Sequence, residues 1–114
     1  MEISVAAETM GSLAHVARLQ ILALLARGTP NGVAAGEIAA RLGLPPATLS
    51  FHLKELARAR LVSARRNGRN LFYTANSQAI RLVAAYLAEQ LLVDEVGEVS
   101  GGPKPTIRAK IAAG

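Results

Sequence analysis

The chain has 114 residues, a formal net charge of +5 and 51% hydrophobic residues, with aromatics at only 4%. That length fits one small domain with a thin core, which a partner subunit would stabilise. The absence of cysteine excludes disulfides, thiolate metal sites and thiol nucleophiles together, and no apolar run or signal pattern points to a membrane or to export, so a cytoplasmic protein is expected.

In chain order, Ser12 to Leu25 reads as a helix, with Leu13, Val16, Ala17, Ile21, Leu24 and Leu25 at three-and-four spacing. Gly28-Thr29-Pro30-Asn31-Gly32 ends it in a loop. Gly36 to Leu42 reads as a short helix, and Gly43 stands where a left-handed turn is needed. Pro45-Pro46 opens the next helix, because proline's missing N–H costs nothing in a first turn. Two short helices joined by a glycine-containing turn form the helix-turn-helix pattern.

After Leu61 the period changes. Val62 to Arg66 and Leu71 to Thr74 are strand candidates around Asn67-Gly68-Arg69-Asn70, and Asn-Gly signals a tight hairpin in which both residues take a positive backbone angle. Ser77 to Val93 is the last predicted helix, with Ile80, Val83, Ala84, Leu87 and Leu91 in an apolar stripe. The glycines and prolines of residues 97–114 predict a flexible tail, leaving residues 1–96 as the folded domain. The fold class is mainly α with a small β-hairpin, a winged helix-turn-helix.

Charge is concentrated in the middle of this order. Residues 41–75 hold seven cations (Arg41, Lys54, Arg58, Arg60, Arg65, Arg66, Arg69) against Glu55 alone, a net of +6 between two acidic segments. Such a block is the footprint of a polyanion partner. Within it, Leu49, Leu53 and Leu56 share one helix face, so Ala47, Thr48, Ser50, Phe51 and Lys54 must face outward. In a helix-turn-helix that outward face enters the major groove. There a hydroxyl pairs with a base edge or phosphate, and a phenyl ring lies against a thymine methyl. The alternative for Phe51 is apolar cover folded back under the wing. Arg65, Arg66, Asn67 and Arg69 are expected to set the wing against the DNA backbone or in the minor groove.

The run from Gly32 to Leu56, with Arg18-Leu19 and Gly68-Arg69…Phe72-Tyr73, closely resembles the ArsR/SmtB family of bacterial winged-helix repressors, over roughly residues 10 to 93. It looks most like the arsenic-responsive branch. The resemblance implies a homodimer through terminal helices, reading a pseudo-palindromic double-stranded operator and released by an inducer. Residues 1–10 and 77–93 are the expected dimer surface, with Ile80, Val83, Leu87 and Leu91 at its centre and Leu82, Tyr86 and Leu92 as further apolar surface.

The sensing site departs from that branch. Leu91 and Leu92 stand where its adjacent cysteines would be, Val99 and Ser100 offer no further thiolate, and Asn31 to Ala35 carry none either. As(III) is soft and requires thiolates. The zinc-type positions near Ser77, Ala79, Gln90 and Val93 lack acidic or imidazole ligands. His15, read as lying on the same helix as Arg18, and His52, bordering the leucine face, read as structural. No metal or cofactor is expected, and the inducer is an unknown small molecule or absent. A non-cysteine metal site built from Glu89, Asp94, Glu95 and the histidines across a dimer is one alternative, and a winged-helix adaptor that binds protein is another. Catalysis has no support: Ser50 and His52 diverge by about 200° on their helix. RNA binding would ask for more stacked aromatics than this chain has.

Overall fold

The computed structural model describes residues 1–92. Where one helix is expected over Ser12 to Leu25, the chain forms two, α1 (Ile3–Leu13) and α2 (Val16–Ala26), which meet at 92°. The corner is Ala14-His15, and His15 is extended at φ −144° and ψ 133°, so it precedes α2 instead of lying within it. Both arms are helical, so the apolar spacing runs through the corner without a mark. α1 buries only Ala6 and Thr9, too few large side chains to announce a helix in the sequence. The Thr9 hydroxyl donates to the Val5 carbonyl at 2.8 Å, sparing a buried group a cost of about 1–3 kcal/mol.

The inward stripe of α2 also differs from expectation. Val16 is 76% exposed, and the buried residues are Arg18, Ile21, Leu22 and Leu25, at positions i, i+3, i+4 and i+7. A cation occupies the first place in that stripe, which is why the apolar pattern alone misplaces it.

The chain continues through β1 (Val33–Ala34), α3 (Ala35–Leu42), α4 (Pro46–Arg58), β2 (Val62–Asn67), β3 (Asn70–Ala75) and α5 (Ser77–Leu91). β1 is too short for any alternation to reveal it. It is a strand because it pairs antiparallel with β3, Val33 opposite Tyr73, giving a three-stranded sheet in the order β1-β3-β2. Gly43 closes α3 in the left-handed conformation at φ 66°, and Pro46 begins α4 after Pro45 at its N-cap. None of α1 to α4 starts with a side-chain cap hydrogen bond.

The hairpin turn is shifted by one residue from the expected Asn-Gly. Asn67 pairs with Asn70, so the two-residue loop is Gly68-Arg69, and only Gly68 has a positive φ, at 69°. Glycine at the first central position, followed by an ordinary residue, is the pattern of a type II′ turn. α4 ends on a Schellman motif: the Arg60 N–H donates to Ala57 O at 3.0 Å and the Leu61 N–H to Leu56 O at 2.9 Å. Arg60 occupies the left-handed position of that motif at φ 63°. Asn76 Nδ2 ties the turn down from the far side, donating to the Arg60 carbonyl at 2.8 Å.

The core gathers Ile21, Leu25, Ile38, Leu49, Leu56 and Leu61 with their neighbours. Residues 1–83 form one compact unit, and a second begins at Ala84. Within the second, α5 continues to Leu91, with Leu91 and Leu92 exposed. The expected end of the last helix at Val93, the acidic pair Asp94-Glu95, and the 97–114 tail lie outside the described residues. Among the described residues no single helix is long and apolar enough to cross a membrane.

Candidate nucleic-acid interface

The orientation of α4 follows from its leucines. Leu49, Leu53 and Leu56 are buried, and this pins Ala47, Thr48, Ser50, Phe51 and Lys54 on the exposed side. The five side chains expected to face outward therefore share one accessible helix surface, carrying hydroxyls, a methyl group, a ring and a cation.

Phe51 is 56% exposed and does not fold under the wing. Its ring lies against α2, with the Arg18 guanidinium carbon 5.7 Å from the ring centroid. The His52 ring is next to it, 5.6 Å between centroids and tilted by 59°. Arg18 is 5% exposed. Its Nε donates to His52 Nδ1 at 3.1 Å and its Nη1 to the Ser12 carbonyl at 3.3 Å. His15 completes the cluster, 6.1 Å from His52 between centroids. Burial, then the charge of Arg18, then His15, hold His52 below the usual imidazole pKa, so its ring is neutral and accepts the arginine's proton donor. The sequence reading missed this cluster. Arg18 on an otherwise apolar face of α2 was its one signal.

The wing cations are not equivalent. Arg65 pairs across the hairpin with Phe72 and lies 5.7 Å over that ring, while its Nη2 donates to the Asn31 carbonyl at 2.8 Å. Asn67 shares that ribbon face, since alternate residues of a strand point the same way, and Arg66 points to the other. Arg65, Asn67 and Arg66 are thus divided between two faces, with Arg69 in the turn itself. Two further cations of the basic block are paired, Arg41 with Glu37 at 3.0 Å and Arg58 with Glu55 at 3.3 Å. Among the described residues, no side-chain hydrogen bond or ion pair engages the charged groups of Lys54, Arg66 or Arg69.

The residues expected at a dimer surface divide as well. Val83 is buried within its own chain, whereas Ile80 and Leu82 are exposed. Ile80 joins Leu13, Leu19, Leu22 and Ala26 around an open apolar hollow between α2 and the start of α5. Leu87 is half-buried. No group of three or more His, Asp or Glu side chains suited to a metal ion occurs among the described residues.

Comparison with known proteins gives this geometry a context. A family model described as a helix-turn-helix domain matches residues 13–64. The transcriptional activator HlyU of Vibrio cholerae is 36% identical over 76 residues, covering 67% of this chain and 68% of that protein. The biofilm growth-associated repressor of Agrobacterium fabrum is 38% identical over 78 residues, covering 68% and 64% respectively. Among solved structures, the homodimeric winged helix-turn-helix DNA-binding domain of a possible ArsR-family transcriptional regulator from Mycobacterium bovis superposes with a TM-score of 0.64. It is 33% identical and covers 90% of each chain.

Proposed function

The chain belongs to the ArsR/SmtB family of winged helix-turn-helix transcriptional regulators, and from that membership we propose a homodimeric repressor that reads double-stranded operator DNA with α4. The observation that carries the reading is the division of α4: three leucines inside, and Ala47, Thr48, Ser50, Phe51 and Lys54 outside on one surface. In the major groove Ser50 and Thr48 bond base edges or phosphates, Phe51 covers a thymine methyl and Lys54 meets a phosphate. Arg66 and Arg69 grip the backbone beside the groove, Asn67 contacts the DNA from the opposite face of the ribbon, and Arg65 holds the wing to the body through Asn31.

Dimerisation uses apolar side chains of α1 and α5, among them the exposed Ile80 and Leu91 and the half-buried Leu87, and would set two α4 helices one DNA turn apart. Residues 1–96 carry both tasks, and the chain acts in the cytoplasm without catalysing a reaction. The inducer, if the repressor has one, is not a thiolate-bound metalloid, because the chain contains no cysteine. The test is selection of duplexes from a random pool, followed by fluorescence anisotropy and light scattering. A dimer that binds the selected duplex at least about a thousandfold tighter than random DNA is expected. A monomer with no sequence preference would overturn the reading.

A further inference from the structure

We propose that Arg18 is the positioning residue of the reading helix: it fixes Phe51 and His52 from the core side and ties them to the corner between α1 and α2. The proposal rests on the reading of α4 as the DNA-contacting element. Arg18 itself is buried and so is not a DNA contact; it acts through the two residues it touches.

A cation buried this deeply is costly unless it is paired. No carboxylate among the described residues pairs with Arg18; its donors instead reach His52 Nδ1 at 3.1 Å and the Ser12 carbonyl at 3.3 Å. An apolar side chain of similar volume would fill this place at lower cost, so the guanidinium contributes geometry. Its planar fork suits that task, because one rigid group spans two elements at once. One end reaches the carbonyl at the end of α1, and the other holds His52 on α4. The guanidinium carbon lies over the Phe51 ring, 5.7 Å from its centroid. An exposed phenyl ring otherwise samples several rotamers. With a cation against one side and the His52 ring tilted against it at 5.6 Å, Phe51 is held in one pose with its remaining surface toward solvent.

The arrangement gives α1 a direct mechanical connection to the reading surface. A movement of the α1–α2 corner shifts the Ser12 carbonyl, then the guanidinium, then Phe51. Discrimination among bases should therefore depend on Arg18 more than affinity for DNA in general does.

The experiment compares the full-length wild type with Arg18→Met, Arg18→Lys, His52→Leu and His52→Asn. Anisotropy measures binding to the duplex enriched by the wild type and to a random duplex, and circular dichroism measures melting. Long-range proton–nitrogen spectra of the histidine rings report whether Nδ1 of His52 accepts a hydrogen bond. Arg18→Met and His52→Leu should melt as folded proteins and keep random-duplex affinity within about twofold. They should lose about tenfold in the ratio of enriched to random affinity, the scale of one base contact. Arg18→Lys, with the charge but without the fork, should lose that ratio and the Nδ1 signature together. His52→Asn keeps an acceptor at the Nδ1 position and should retain the ratio within about threefold. An unchanged ratio in folded Arg18→Met, or in His52→Leu should Arg18→Met fail to fold, would overturn the proposal. Equal losses in His52→Asn and His52→Leu would overturn it also. A wild type that enriches no duplex would refute the function first and the proposal with it.

Discussion

Arg18 and His52, 34 positions apart, are joined by a hydrogen bond of 3.1 Å from the arginine Nε to the imidazole Nδ1. The bond requires a neutral ring, and the fold disfavours the charged one through burial and the neighbouring guanidinium. An unfolded chain protonates His52 near the ordinary value of about 6.5, whereas the folded chain does so only at lower pH. Between those points the unfolded state binds more protons, so stability falls as pH falls and is fully present above about 6.5. Melting temperature should decline from pH 7 toward pH 5 in the wild type and decline less in His52→Asn. Equal declines in the two proteins would remove His52 as the cause.

Arg66→Ala and Arg69→Ala should weaken binding to enriched and random duplexes by similar factors. Each should flatten the dependence of log affinity on log salt by about one unit per lost phosphate contact. Arg65→Ala should differ from both. Its guanidinium bonds the Asn31 carbonyl, so this variant should also lose about 1 kcal/mol of stability. Salt titrations and denaturant melts on the three variants check the distinction, and a uniform effect would erase it.

Ser50→Ala and Phe51→Ala act on sequence choice. Each should lower the affinity for the enriched duplex by about 1–3 kcal/mol while random-duplex affinity stays nearly constant. Parallel losses on both duplexes would place these side chains at the backbone instead.

Arg60 stands at φ 63° in the Schellman turn after α4. A left-handed backbone costs a non-glycine residue about 1–2 kcal/mol, and part of that gain is lost to glycine's greater freedom when unfolded. Arg60→Gly should stabilise the chain by up to about 1 kcal/mol in a urea melt. A loss of stability would mean that the arginine side chain contributes more than its backbone costs.

Arsenite and antimonite should leave affinity for the enriched duplex unchanged in an anisotropy titration, since the chain has no cysteine to supply a thiolate. Release by micromolar arsenite would expose an unrecognised site.

The elements that position α4 were legible in the sequence because their signals are local. Pro45-Pro46, Gly43 and the leucines at 49, 53 and 56 each act within a few residues, and the outward set from Ala47 to Lys54 follows from them. What stayed hidden depends on distant partners. β1 exists only because Val33 meets Tyr73. The corner at Ala14-His15 carries no glycine or proline and separates two stretches that are both helical. Arg18 is a lone cation on an apolar face of α2, without an evident task until His52, 34 residues on, is placed beside it. The hairpin was found but its turn lay one residue further along, because Asn67 pairs with Asn70 and leaves the loop to Gly68-Arg69.

The first four helices begin without a side-chain cap. An uncapped helix leaves its first N–H groups to water or to neighbouring backbone, and one as short as α4, 13 residues, is marginal in isolation. A synthetic peptide of residues 46–58 should therefore be mostly coil, and a graft of that segment onto an unrelated scaffold would transfer the letters without the shape. The smallest transplantable reader is the leucine core together with the helix it orients.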